Sequence, residues 1–276
     1  MITSLNNAKV KHLNELQNKS KLRNREGLFI AEGIRLFQEV PEGLIKEVYI
    51  DEQLDRQIHS KNIEPDKRVK AVGAKLDKLI KAGRYVEVLS KEVFKKAADT
   101  DTPQGILAVC RMPEFTLRDI LDNMPKGSKG NILILEDIQD PGNLGTMLRT
   151  AEAAGVSGII MSKKTVDIYS PKVVRSTMGA LFRMPHFYAE DFLKTIDELK
   201  GFGIKIYALH LSGTASYNEI KYKGRCGLMI GNEGNGLSDE VTAKSDSCVI
   251  IPMLGKTESL NASVAAALIM YQAQFS

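Results

Sequence analysis

Three stretches of the 276-residue chain combine residue types that can do chemistry, and each follows an apolar run. The first is Glu136-Asp-Ile-Gln-Asp-Pro-Gly-Asn-Leu-Gly-Thr-Met-Leu-Arg149, the second Gly231-Asn-Glu-Gly-Asn-Gly236, and the third Pro252-Met-Leu-Gly-Lys-Thr-Glu-Ser-Leu-Asn261. Glycines between a strand and a helix suggest a phosphate-binding turn, but the spacing here is G-x-x-G-x-G rather than G-x-G-x-x-G. Glu233 puts a negative charge where a pyrophosphate would sit, and the following strand ends at Ile251-Pro252 without an acid for a ribose. A dinucleotide site is therefore disfavoured. The glycines either make a tight turn or let backbone come close to a ligand. Asn143 and Arg149 lie six residues apart, about 240° around a helix, so they need not share a face. If Asn143 is the N-cap, Arg149 sits about two turns in, where a lone arginine is usually a surface or ion-pair residue; only the surrounding pattern marks it out.

The elements that must position these loops alternate. In the second half, Asn131–Leu135 is a continuous apolar strand of the kind buried in parallel sheets. A helix follows over about Asn143–Ala154, with Gly155 as its stop. Strands are predicted at Val156–Met161, Ile204–Leu209, Gly227–Ile230 and Cys248–Ile251. Helices are predicted from Ser170-Pro171 to about Ala180, over Asp191–Lys200, briefly after Ser238, and over about Ser259–Gln274. This alternation predicts a mostly parallel α/β sheet, with function in loops at the carboxyl ends of its strands.

The first half reads as a smaller α/β domain. Val10, Leu13 and Leu16-Gln17 are spaced for a helix over Ala8–Gln17. Helices are also expected over Gly33–Val40, Ala74–Lys81 and from Ser90 to Ala98. Strands are expected at Leu28–Ala31, Val48–Ile50, Tyr85–Leu89 and Gly105–Met112. Pro113 and the turn-rich stretch Asn123–Gly130 mark a boundary. The expected division is a domain over 1–113, a linker over 114–130 and a second domain over 131–276.

Composition narrows the class. With 43% apolar and 26% charged residues, the chain matches a globular protein. Its longest apolar run, Val264–Met270, is far below the roughly 18 residues of a membrane span. The opening MITSLNNAKVKHLNELQNKSK has no apolar core for a signal peptide. Cys110, Cys226 and Cys248 are widely spaced and no histidine clusters with them, so neither disulfides nor a metal site is expected. A reducing cytoplasm fits best. Net charge is only +4, yet Lys9, Lys11, Lys19, Lys21, Arg23 and Arg25 face Glu15 alone within residues 1–25. From Lys126 onward, 16 basic residues balance 15 acidic ones. Such a basic arm suits a polyanion such as RNA, or is a solvated helix face; Lys19, Lys21, Arg23 and Arg25 are the candidate contacts.

Together the three loops resemble the SpoU family of RNA ribose 2′-O-methyltransferases, within the SPOUT superfamily. The matching stretches are Asp140-Pro-Gly-Asn-Leu-Gly-Thr-Met-Leu-Arg-Thr-Ala151, Leu228-Met-Ile-Gly-Asn-Glu-Gly-Asn-Gly-Leu-Ser238, and Ile251-Pro-Met253 with Glu258-Ser-Leu-Asn-Ala-Ser-Val-Ala265. Ala262 stands where the family often has valine. In the first half, Ile2-Thr-Ser4, Arg25-Glu-Gly-Leu-Phe29, Glu32-Gly-Ile-Arg-Leu36 and Thr102-Pro-Gln-Gly-Ile-Leu-Ala108 resemble the family's substrate-binding domain.

The resemblance implies a trefoil-knotted methyltransferase domain behind a smaller N-terminal RNA-binding domain, acting as a homodimer. It also implies S-adenosylmethionine as cofactor, held by Gly231, Ile251 and Leu260, with Leu209 and Met253 as further contacts. Arg149 becomes the catalytic arginine, as orienter and electrostatic stabiliser or, after proton loss, as base. Asn143, Glu233, Ser259 and Asn261 are the other site residues. Glu233 would orient Arg149 or its neighbours; Ser259 and Asn261 would hold the loop and the substrate, with Ser259 also a candidate N-cap. Ribosomal RNA is the favoured substrate and transfer RNA the runner-up. The rival from another class is a non-catalytic RNA-binding or ribosome-assembly protein, and the intact site residues count against it.

Overall fold

The computed structural model describes residues 1–60, 66–125 and 129–276. Packing divides the chain into two units. The first comprises Met1–Pro113 and, unexpectedly, Asp167–Phe182; the second comprises Glu114–Val166 and Arg183–Ser276.

The first unit begins with α1 (Ala8–Asn18) and α2 (Ser20–Glu26), then β1 (Leu28–Glu32), α3 (Ile34–Glu39), β2 (Ile45–Asp51), α4 (Glu52–His59), α5 (Lys67–Lys81), β3 (Tyr85–Leu89), α6 (Lys91–Ala97) and β4 (Ile106–Arg111). Its sheet runs β1-β4-β2-β3, with only the β2–β3 pair parallel. Asn7 caps α1 through the Lys9 amide, and Val10, Leu13, Leu16 and Gln17 are buried as their spacing predicts. They pack with Val93, Phe94 and Ala97 of α6 and with Ile30, Tyr49, Leu107 and Val109 of the sheet. Helix α2 adds to the expected elements; Leu22 alone gives its seven residues no apolar period to mark it in the sequence.

In the second unit come α7 (Leu117–Asp122), β5 (Gly130–Leu135), α8 (Pro141–Ala153) and β6 (Gly158–Met161). Helix α9 (Pro171–Ser176) lies in the stretch that packs with the first unit, against β1. The second unit resumes with β7 (His186–Tyr188), α10 (Phe192–Gly201), β8 (Lys205–Leu209), β9 (Ala215–Ser216), β10 (Arg225–Ile230), α11 (Asp239–Thr242), β11 (Ser247–Ile250) and α12 (Ala262–Phe275). The sheet order is β7-β6-β5-β10-β8-β11-β9 and every pairing is parallel. β10 separates β5 from β8, so the carboxyl ends of β5 and β10 are neighbours at the point where the strand order reverses, the usual place for a ligand crevice.

Two expected boundaries change. Over 114–125 the expected linker is part of the second unit: Thr116 and Asp119 form a capping box for α7, and Ile120, Leu121 and Met124 enter the core with Ile160, Ile196 and Ile206. A side chain at Gly158 would sit 2.7 Å from Ile120, so the two are matched in shape. The Thr-x-x-Asp signal was legible in the sequence. Residues 126–128 of the expected linker lie outside the described residues. The second change is Asp167–Phe182, which the sequence division assigned to the second domain.

Candidate active site

Helix α8 starts two residues before the expected position. Asp140 is its N-cap, accepting from the Asn143 amide at 2.8 Å, and Pro141 opens the first turn. Asn143 is therefore not the cap, and its buried side chain is free for another task. Its Nδ2 donates to Glu233 Oε1 at 3.0 Å, and its Oδ1 accepts from Asn261 Nδ2 at 2.9 Å. Asn261 in turn caps α12, its Oδ1 accepting from the Ser263 amide at 2.9 Å and the Ser263 hydroxyl at 2.6 Å. One relay, Glu233–Asn143–Asn261, thus ties the second loop to the first and the first to the third.

Glu233 also accepts from the Gln139 and Asp140 amides, each at 3.0 Å. Partial burial pushes its carboxyl up, but the hydrogen bonds from Asn143 and these amides outweigh that and hold it below the usual carboxylate range. A carboxylate at the start of α8 also complements the helix dipole. Of the two expected partners, Glu233 therefore holds neighbours of Arg149 at the start of α8 and not Arg149 itself.

Further clasps, not singled out from the sequence, join the same loops. Glu136 accepts from the Ser238 amide at 2.8 Å and hydroxyl at 2.6 Å. Asn232 Nδ2 donates to the Asp137 carbonyl at 2.8 Å while its Oδ1 accepts from the Gly234 and Asn235 amides. Asp137 adopts a left-handed φ of 53°, held by Ser162 Oγ, which accepts from its amide at 2.8 Å and donates to its carboxylate at 2.6 Å. The detectable signal for Glu136 was an acid at the end of an apolar strand. The partners of Asn232 and Ser162 come from the fold.

Arg149 is exposed on α8 and, among the described residues, makes no hydrogen bond or ion pair. Ser259 is also exposed and is not the cap of the last helix, because α12 begins later, behind Asn261.

Leu209, Gly231 and Ile251 lie at the carboxyl ends of β8, β10 and β11, with β8 between the other two. Leu209, Ile251 and Met253 are half-buried and Leu260 is exposed. Among the described residues, the backbone of residues 252–260 makes no hydrogen bond, leaving amides and carbonyls open beside these apolar side chains. An apolar lip with open backbone polar groups suits a purine ring. Gly231 needs its missing side chain for a different reason from close ligand approach: a Cβ there would lie 2.1 Å from the Gly236 carbonyl carbon of its own loop.

Of the basic arm, Lys19, Lys21 and Arg25 are exposed and line an open cavity of about 530 Å³. Lys19 pairs with Glu15 at 2.7 Å and Arg25 with Glu26 at 3.2 Å. Arg23 departs from the expectation. Its side chain is only 5% exposed, and it donates to the Leu16 and Gln17 carbonyls and to Asp167, so it holds the fold together instead of facing a ligand.

The chain is similar to several known proteins. Residues 130–271 match the model of the SpoU rRNA methylase family, and residues 7–108 match that of the MRM3-like substrate binding domain. The chain is 33% identical to a 23S rRNA guanosine 2′-O-methyltransferase of Bacillus subtilis, over 98% of this chain and 97% of the relative. An S-adenosylmethionine-bound rRNA methyltransferase from Sinorhizobium meliloti superposes with a TM-score of 0.81 at 30% identity, covering 99% of this chain and 96% of the other. A SpoU methyltransferase from Streptomyces viridochromogenes in complex with the same cofactor gives 0.80 at 26% identity, covering 97% of each chain.

Proposed function

This chain belongs to the SpoU rRNA methylase family, and from that membership we infer that it methylates a ribose 2′-hydroxyl of ribosomal RNA, using S-adenosylmethionine. The observation that carries this reading in the chain itself is the unpaired guanidinium of Arg149, on a helix whose start is pinned by the Glu233–Asn143–Asn261 relay.

When bound, the cofactor supplies an electrophilic methyl group on a sulfonium centre. Leu209, Ile251, Met253 and Leu260 would hold it, with the open backbone of 252–260 meeting its polar edges. The remaining task is to raise the nucleophilicity of a ribose hydroxyl, which needs a proton acceptor or a stabiliser of the developing oxyanion. Among the described residues Arg149 has no acidic partner, and a guanidinium offers fixed hydrogen-bond donors and no acceptor, so it acts as orienter and stabiliser. Asn143 and Asn261 hold the loops, and Ser259, exposed in the third loop, contacts substrate.

The N-terminal unit binds RNA through Lys19, Lys21 and Arg25, a reading supported by the substrate-binding match over residues 7–108. The active form is a homodimer. Its support is a row on α12, Val264, Leu268, Tyr271 and Phe275, all exposed and spaced along one helical face, with Phe275 78% accessible. A knotted path through the second unit is supported by membership of the SpoU family. A cytoplasmic setting is supported by three free cysteines; no helix among the described residues is long and apolar enough to cross a membrane.

Mapping 2′-O-methyl groups in ribosomal RNA from cells with and without the protein tests the reading. One site lost in the deletion strain, and restored by the purified protein with labelled cofactor, is the expected result. An unchanged map rejects it.

A further inference from the structure

The catalytic half is nearly neutral in sum, but the fold separates its charges. The register pairs Arg225 of β10 with Gly130 of β5 and Cys226 with Lys205 of β8, so three neighbouring strands begin side by side. Their first residues and the approach to β10 bring together Lys129, Lys205, Lys223 and Arg225, with Lys221 two residues earlier on the same approach. Both Lys205 and Lys129 act electrostatically on the Cys226 thiol, which burial nevertheless pushes up to about 11. Lys205, Lys221 and Lys223 are exposed; Lys129 donates to an oxygen of the C-terminal Ser276 and Lys205 lies over the Tyr207 ring, but among the described residues Lys205, Lys221, Lys223 and Arg225 pair with no acidic side chain. The nearby acids are engaged elsewhere: Asp246 with Lys200 at 2.9 Å and Asp122 with Arg118 at 2.9 Å. Phe202, half-exposed, and Arg225 line a shallow depression of about 170 Å³ at the same end of the sheet.

This end lies opposite the catalytic loops. β5 and β10 are six residues each, which at about 3.3 Å per residue sets the two ends roughly 20 Å apart. The cluster therefore cannot touch the ribose being methylated. Exposed lysines without acidic side-chain partners, beside an exposed aromatic ring, are the chemistry that binds phosphates and stacks unpaired bases.

We propose that the amino-terminal end of the second unit's sheet is a second RNA-contact surface, holding phosphates of the substrate about 20 Å from the methylated ribose. The inference rests on the chain acting on RNA. At about 3.4 Å per nucleotide of a duplex strand, it engages RNA some six or more base pairs from the target.

The test uses the full chain with Lys205, Lys221 and Lys223 replaced by glutamine, and unmodified 23S rRNA transcript as probe. Binding is titrated between about 50 and 200 mM salt. Three lost phosphate contacts should flatten the slope of log affinity against log salt by up to about 2–3 units. KM for the transcript should rise while kcat and cofactor affinity stay unchanged. A short RNA reaching fewer than about six base pairs from the target should show no difference between variant and native protein. Replacement of the same three lysines by arginine should restore the slope. An unchanged slope on the long transcript overturns the proposal, and so does an equal loss on the short RNA. Failure of the native protein to methylate any ribosomal RNA would instead reject the functional reading, while the salt slopes still decide whether this surface binds RNA.

Discussion

Arg23 donates to a single carboxylate oxygen of Asp167 from Nη2 at 2.6 Å and Nε at 3.0 Å, although the two residues lie 144 positions apart. The pair joins α2 to a stretch that departs from the sheet after β6 and returns at β7. Around it, Tyr169 and Phe182 pack on Phe29 with ring centroids 5.1 and 6.1 Å away, and Arg175 pairs with Asp99 at 2.6 Å. The first unit is thus completed by a segment, Asp167–Phe182, that begins more than fifty residues beyond its expected end.

Removing one member of a buried pair strands the other. Asp167→Ala should lower stability by about 3 kcal/mol, since the Arg23 guanidinium loses its acceptor away from water. Urea unfolding of the full chain checks this, and a loss below about 1 kcal/mol would mean that the two carbonyl acceptors suffice. By the same reasoning a fragment of residues 1–113 should not unfold cooperatively, whereas a chain that also supplies Asp167–Phe182 should.

Arg149→Ala should leave the fold and cofactor affinity intact and reduce methyl transfer by at least about 10²-fold, the scale of a lost electrostatic or acid–base group. Single-turnover transfer to ribosomal RNA is the measurement. Near-normal rates from a correctly folded variant would remove Arg149 from the chemistry.

His186 supplies a pH dependence. Burial pushes its pKa from 6.5 down to about 4, against a hydrogen bond between its ring and the Met184 carbonyl. The unfolded chain takes up this proton below about 6.5 and the folded chain only near 4, so acid favours unfolding across that window. The native protein should lose up to about 3 kcal/mol between these pH values. His186→Gln should flatten the loss; unfolding curves at several pH values for both proteins decide it, and parallel curves would show that His186 is not the sensitive group.

The exposed row on α12 should mediate self-association. Light scattering should report twice the 30.5 kDa chain mass at micromolar concentration, and Leu268→Glu should restore 30.5 kDa. A native protein that stays at 30.5 kDa throughout would leave the row without a second copy to cover it.

What was legible in the sequence was local. Apolar runs such as Ile132–Leu135 become buried parallel strands because a strand covered on both faces favours apolar side chains throughout. The three loops could be located from residue type and order alone, and Asn143, Glu233 and Asn261 do meet. Their tasks could not be read the same way. A cap shifted from Asn143 to Asp140, and from Ser259 to Asn261, depends on where each helix begins, a matter of two or three residues. Those shifts turn Asn143 toward Glu233 and leave Arg149 without an acid. Only the tertiary structure decided that Arg23 is buried and that Lys205, Lys223 and Arg225 stand together. Both facts come from pairings between distant segments, which no local period encodes: strand order makes neighbours of β5, β10 and β8, and chain reversal after β6 brings Asp167 to Arg23.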